Sequence, residues 1–307
     1  MDRCLTYDVP SEANGLRIEQ YLHRQGYSRQ ARIQLKKYTD GVLLDGRPVF
    51  LTHRLLGGER LSVCLRESQP SPNIRPVCLP LSILYEDEDL LVVQKPAGMP
   101  IHPSLHNDEN TLANALAWYY AHRGQTFVFR CCNRLDRDTS GLTIVAKNML
   151  SAGILSERTA LKEIRREYLG IARGSLPSSS GTIRAPLGRK PGSIIERVVD
   201  FERGERAVTH YRVLGEENGH SLIWLLLETG RTHQIRVHMQ YLGFPLVGDY
   251  LYNPDREWIG RQALHAYRMS FAHPVTGRPM VFTAPLPQDM QRILPSYTPD
   301  RILSQLE

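Results

Sequence analysis

Residues 132–141 read Cys132-Asn133-Arg134-Leu135-Asp136-Arg137-Asp138-Thr139-Ser140-Gly141, and the apolar run 142–146 follows at once. That run has the length and branching of a buried strand. The charged decapeptide before it is therefore a loop at the rim of a sheet, where the polar groups of a site are commonly carried. Several chemistries fit the loop alone. Asp136, Asp138, Ser140 and Gly141 imitate the opening of a calcium-binding EF-hand loop, but the twelfth position, which requires Glu, holds Lys147, so calcium is not expected. Asp136 and Asp138 could act as a carboxylate pair, although two residues apart on a turn they need not converge. A plain surface turn is the bland alternative.

Working outward, a second polar stretch follows the apolar run 222–227. Residues 228–239 read ETGRTHQIRVHM, with two arginines, two histidines and a glutamine. The metalloprotease pattern H-E-x-x-H is absent, and His233 and His238 are badly spaced for one metal-binding helix face. Arg231 and Arg236 suit pairing with an anion or a carboxylate. Around these two stretches the sequence predicts strands at 81–85, 90–94 and 168–172, a turn at Pro96-Ala97-Gly98, and helices at 149–162 and 232–242. Leu112, Leu116, Tyr119 and Tyr120 mark a further helix. Strands and helices mix without strict alternation, which predicts an α+β body with a mixed or antiparallel sheet over residues 81–292, followed by a tail at 293–307.

Upstream, residues 68–80 read SQPSPNIRPVCLP, a proline-rich interdomain linker. Before it lies a small head, 11–67. Ile18, Tyr21 and Leu22 recur at helical spacing, Ser28 is a candidate cap for a helix over 29–38, and Asp45-Gly46 marks a tight hairpin turn. Two short helices and a small hairpin sheet are expected. Arg29, Arg32, Lys36 and Lys37 would give the second helix a basic surface. Most of the chain's net charge of +6 falls in this head, which favours a polyanionic partner. A solvated basic face is the alternative.

The chain has 307 residues and 41% hydrophobic residues, enough for one large core and a satellite domain. The longest apolar run is too short to span a bilayer, and no apolar signal core follows Asp2 and Arg3. The five cysteines form no C-x-x-C pair, so neither a disulfide framework nor a zinc site is expected, and Cys131 and Cys132 read as small buried apolar residues. A cytoplasmic location follows by elimination, and a monomer is the default.

Taken together, Asn133-Arg134-Leu135-Asp136 with Thr139-Ser140-Gly141 resembles the central motif of the RluA/RluD-type RNA pseudouridine synthases. Further matches are Leu84-Tyr85-Glu86-Asp87, Lys95-Pro96-Ala97-Gly98, Arg166-Glu167-Tyr168, Gly230 to His238, Pro245 to Asp249 with Tyr252, and His273-Pro274. The head resembles an S4 RNA-binding domain through Gly15-Leu16-Arg17, Ser28-Arg29, Gly41-Val42, Asp45-Gly46 and Gly57-Gly58. One position departs from the family pattern: Asn133 stands where the family usually has His.

The resemblance implies isomerisation of uridine in structured RNA, with no cofactor and no metal. Ribosomal RNA of the large subunit is the expected target, and transfer RNA the nearest alternative. It implies that Asp136 is the essential carboxylate, that Arg236 pairs with it and favours its charged form, and that Tyr168 stacks on the base. Arg134 would fill the space left by a flipped nucleotide. Arg231 and Lys95 would line the RNA path, and the head's helix and hairpin would grip a stem. The rival of a different class is a non-catalytic RNA-binding or ribosome-assembly factor, which has little need for a desolvated carboxylate. A metal-dependent hydrolase lacks a ligand cluster.

Overall fold

The computed structural model describes residues 2–105 and 107–306. The head begins earlier than the sequence indicates. Strand β1 (Asp2–Asp8) alternates exposed and half-buried residues and pairs along its whole length with β4 (Arg60–Arg66). Between them run α1 (Ile18–Arg24), α2 (Arg29–Leu35), β2 (Val42–Leu44) and β3 (Arg47–Pro48), giving an antiparallel sheet in the order β1-β4-β2-β3. Ser28 caps α2 by accepting from the Ala31 amide at 3.2 Å. The helix stops at Leu35, short of the expected end. Asp45 and Gly46 both take positive φ (47° and 79°), the twist-matched hairpin turn that this dipeptide favours.

The expectation of no disulfide is overturned by one bond. Cys4 and Cys64 face each other across β1 and β4 and are joined as a disulfide. The pairing is hidden in the sequence because β1 is hidden there, which leaves Cys4 without an evident neighbour.

The body is built on a nine-stranded sheet. Its strands are β5 (Ile83–Glu86), β6 (Leu90–Lys95), β7 (Ser140–Ala146), β8 (Arg165–Arg173), β9 (Ser180–Arg184), then β12 (Val208–Glu217), β13 (His220–Leu227), β14 (Leu264–Ala272) and β15 (Pro279–Thr283). Between β9 and β12 a separate hairpin is formed by β10 (Leu187–Arg189) and β11 (Arg197–Val199). The order is β5-β6-β7-β14-β8-β13-β12-β9, with β15 added beside β14. Only β7 and β14 run parallel; the other pairs are antiparallel. This is the α+β architecture with a mixed, largely antiparallel sheet. Both faces are covered: α3 (Leu112–Ala121) and α4 (Met149–Ala160) join apolar clusters with β6 and β7, and α5 (Gln234–Tyr241) lies over β8 and β13.

Two regions are more tightly bound than the sequence suggests. The proline-rich stretch lacks regular structure but is pinned to the body, with Val77 donating to Asn114 and Ser71 accepting from the Phe129 amide. The expected tail is no tail. Ile293, Leu294, Tyr297 and Ile302 are buried in one cluster with β8 and β13, and α7 (Pro299–Leu306), which follows the short α6 (Gln288–Gln291), closes it. Glu307 lies outside the described residues.

Head and body also share packing. Leu150 of α4 is part of the head's core, Gly26 lies against Ile154, and Arg3 of β1 makes a two-pronged bond to Asp89 at 2.8 and 2.9 Å.

Candidate active site

The loop 133–139 enters β7 beside β14 and β8, and its shape is set from below. Asn133 is buried. Its amide donates to the Leu142 carbonyl at 3.2 Å, and its Oδ1 accepts from the Ile144 amide at 2.8 Å. A side-chain amide that both donates and accepts thus splices the loop onto the strand it precedes. At the loop's exit Gly141 has φ 114°, and a Cβ there would sit 2.2 Å from the Ala266 carbonyl oxygen. No side chain fits where β7 and β14 meet.

Lys95 corrects an expectation. Its side chain does not reach solvent. It is fully buried at the end of β6, and its ammonium donates to the carbonyls of Pro96, Met99 and Arg137 at 2.8, 2.8 and 2.9 Å. Three acceptors match the three protons of an ammonium. Burial pushes Lys95 down to about 7, while Asp138 and Asp136 act to hold its charge. Because Arg137 follows Asp136 directly, this cation anchors the loop from inside the protein.

Asp136 is the loop's half-buried carboxylate, with its side chain 26% exposed. Arg236, on α5, donates to it from one terminal nitrogen at 3.1 Å. The guanidinium's remaining edge makes two 2.7 Å bonds to Asp249, which is fully buried. The first influence on Arg236 is burial, which lowers its pKa; the bonds to Asp249 and the charges of Asp249 and Asp136 outweigh it, and the net shift is upward. Arg236 is thus a fixed cation between a fully buried carboxylate and a half-buried one. His233 precedes α5, its Nε2 3.8 Å from the same Asp136 oxygen and its Nδ1 3.0 Å from the Tyr252 hydroxyl.

Tyr168 of β8 is buried beside this pair. Burial raises its pKa, Arg166 opposes the rise and Asp136 adds to it. Asp136, Tyr168, Arg166 and Arg236 line a cleft of about 300 Å³. A wider cleft of about 650 Å³ adjoins it and shares Arg134, Asp136, Arg231 and His233. Arg134 is exposed at the mouth of both, and Arg231 is exposed and paired with Glu205. Arg166 makes no ion pair among the described residues, and its Nε is buried with no partner. Gln234 is held by four hydrogen bonds to Thr229, Arg231, Val208 and Thr209, so it builds the wall. On the head, Arg29, Lys36 and Lys37 are exposed, and half-buried Arg32 bonds to the Glu19 carbonyl. These head residues do not line the cleft.

Asp249, Tyr252 and Arg166 fall within the matched motifs, but the sequence gives them no task. For Asp249 and Tyr252 the signal is a charged or hydroxyl group inside an otherwise apolar stretch, 244–252; Arg166, between Arg165 and Glu167, carries no such signal. Asp87, Asp89 and His273 form the one three-residue group among the described residues with metal-like spacing. Their ligand atoms are already engaged. Asp87 accepts from Tyr85, His273 and two amides, while Asp89 accepts from Arg3, Asn148 and Ser151. The group is a hydrogen-bonded brace and a poor fit to a cation.

Cations on a rim, a buried tyrosine and one half-buried carboxylate suit a cleft that receives a base carried on a phosphate backbone. Comparison with known proteins agrees. A family model described as RNA pseudouridylate synthase matches residues 89–241. The chain is 40% identical over 277 residues to an uncharacterised RNA pseudouridine synthase, YjbO, of Bacillus subtilis (strain 168), covering 90% of this chain and 98% of that one. It is 36% identical over 309 residues to the ribosomal large subunit pseudouridine synthase D of Xanthomonas campestris, covering 95% and 92%. Among solved structures it is similar to human RNA pseudouridylate synthase domain containing 1, at 29% identity and a TM-score of 0.56, covering 67% of this chain and 83% of that one. The chain belongs to the RluA/RluD-type RNA pseudouridine synthases, isomerases that make pseudouridine.

Proposed function

We propose that this isomerase acts on uridine in large-subunit ribosomal RNA and that Asp136 is the group that acts directly on the nucleotide. The observation that carries the reading is the Asp136–Arg236 pair at 3.1 Å, backed by the buried Asp249 and opening on a cleft lined by Tyr168. The chemistry needs no electrons from outside: the N1–C1′ bond breaks, the uracil turns, C5 bonds to C1′, and the proton lost from C5 is balanced by one gained at N1. A charged carboxylate held by a fixed guanidinium is suited to start this, as nucleophile or as base.

A stacked nucleotide cannot reach a half-buried carboxylate, so the target is extruded, at a cost of a few kcal/mol. Arg134 stands at the mouth, where it fills the vacated place, and Arg231 beside it meets phosphate. The ribosomal target is supported by relatives named for the large subunit, and it puts the work in the cytoplasm. The head, in this reading an S4-like module, grips a stem through Arg29, Arg32, Lys36 and Lys37.

The test is Asp136→Asn. It is expected to bind RNA as before and to make no pseudouridine when ribosomal RNA is mapped with and without the gene. Full product from the variant would remove Asp136 from the mechanism.

A further inference from the structure

The Arg197 amide, on β11, donates to the Tyr252 hydroxyl at 2.9 Å. That hydroxyl must place its own proton, and the acceptor beside it is Nδ1 of His233 at 3.0 Å. Burial raises the pKa of Tyr252, which keeps the phenol protonated. Burial also lowers the pKa of His233, more than Asp136 restores it, which keeps the imidazole neutral. With Nδ1 accepting, the ring's single proton lies on Nε2. The side chain is only 9% exposed, and Nε2 stands 3.8 Å from the Asp136 oxygen that Arg236 also touches.

That distance is too long for a hydrogen bond and right for one atom between. An oxygen about 2.8 Å from each partner would subtend roughly a right angle there. The two partners dictate its chemistry. Nε2–H takes only an acceptor, and the carboxylate takes only a donor. Uracil offers acceptors and a donor on different atoms. A hydroxyl offers both on one oxygen, and within an RNA chain, where the 3′ and 5′ oxygens are esterified, the only ribose hydroxyl is the 2′.

The backbone adds an independent sign. His233 adopts a left-handed conformation (φ 58°, ψ 17°) at the start of α5 and gives the helix no side-chain cap. A non-glycine side chain adopts that region at a cost, which the contacts of the His233 ring offset.

We infer that His233 and Asp136 together form the binding site of the target ribose 2′-hydroxyl, with His233 as a specificity-determining residue that distinguishes RNA from DNA at the target nucleotide. Tyr252 is a positioning residue that fixes the tautomer. The inference rests on the proposed role of Asp136 and goes beyond it.

The experiment pairs a change in the protein with one in the substrate. A stem-loop carrying the modified uridine is compared with the same strand bearing 2′-deoxyuridine at that single position, reading both affinity and single-turnover rate. His233→Asn is the variant, because asparagine tolerates the left-handed backbone and is too short to reach the oxygen. The wild-type enzyme is expected to favour the ribose form by about tenfold through this contact. His233→Asn is expected to lose that preference, its affinity and rate falling further on the ribose strand than on the deoxy strand. An equal loss on both strands, or no loss, overturns the inference. In the free protein, nitrogen NMR of the His233 ring should show the proton on Nε2, reverting to a tautomer mixture in Tyr252→Phe; a proton on Nδ1 in the wild type also overturns it. A wild-type enzyme that makes no pseudouridine in the ribose strand would instead refute the proposed function.

Discussion

Replacing Asp249 with Asn should damage this protein far more than replacing Asp136, although both carboxylates bind the same guanidinium. Asp249 is fully buried and meets Arg236 through two 2.7 Å bonds, while Arg236 itself is almost wholly buried. Asp249→Asn keeps the shape, removes the charge and turns an amide toward a group that only donates. Breaking a buried ion pair from one side costs about 3–5 kcal/mol, because the remaining charge is left without compensation. For a body of this size that is a drop in melting midpoint on the order of 8 °C. Asp136 contributes one bond at 3.1 Å from a carboxylate 26% exposed, so water can replace Arg236 as its partner. Asp136→Asn should cost about 1 kcal/mol or less. Thermal melts followed by circular dichroism would measure both, with pseudouridine formation assayed on the same preparations. Asp136→Asn is expected to be stable and inactive, and Asp249→Asn unstable and impaired. Equal small shifts in the midpoint would refute the claim that Asp249 anchors Arg236.

Two further outcomes are expected. Lys95 loses its proton at about 7 in the fold against an ordinary 10.5, so between those values the unfolded chain holds more protons and stability rises with pH. The penalty of the buried ammonium is complete below about pH 7 and gone by about 10.5; urea midpoints for Lys95→Met should lack this rise, and curves parallel to wild type would contradict it. Changing Arg29, Lys36 and Lys37 together to Gln should flatten the salt dependence of RNA affinity by about one unit of slope for each phosphate partner removed. Substitution is the right probe here, since Leu150 makes the head inseparable from α4; an unaltered slope would place the RNA elsewhere.

Much of the architecture was legible because its signals are local. The loop 132–141 and the strand after it, the helix after residue 232, and the Asp45-Gly46 turn are each written in adjacent residues. What escaped was set by distant ones. β14 is buried along most of its length and shows no clean alternation, and β9 is short. Lys95 looks like a surface residue until Arg137, 42 positions away, supplies a carbonyl. The Cys4–Cys64 bond spans 60 positions and depends on the register of a strand with little apolar content. Asp249 takes its meaning from Arg236, and so does Asp136, so the catalytic pairing of one carboxylate could be proposed by resemblance while its structural twin could not.

The shared packing between head and body has one more consequence. With Leu150 plugged into the smaller core and Arg3 latched onto Asp89, the head is bolted to its neighbour where a hinge would let it swing. With RNA held as proposed above, the molecule would act as a caliper with one jaw on α2 and the other at Asp136. In that reading an RNA is accepted by the distance along its own contour between the gripped helix and the everted nucleotide, and a transcript lengthened by a few base pairs between those points is expected to present the wrong residue to the carboxylate.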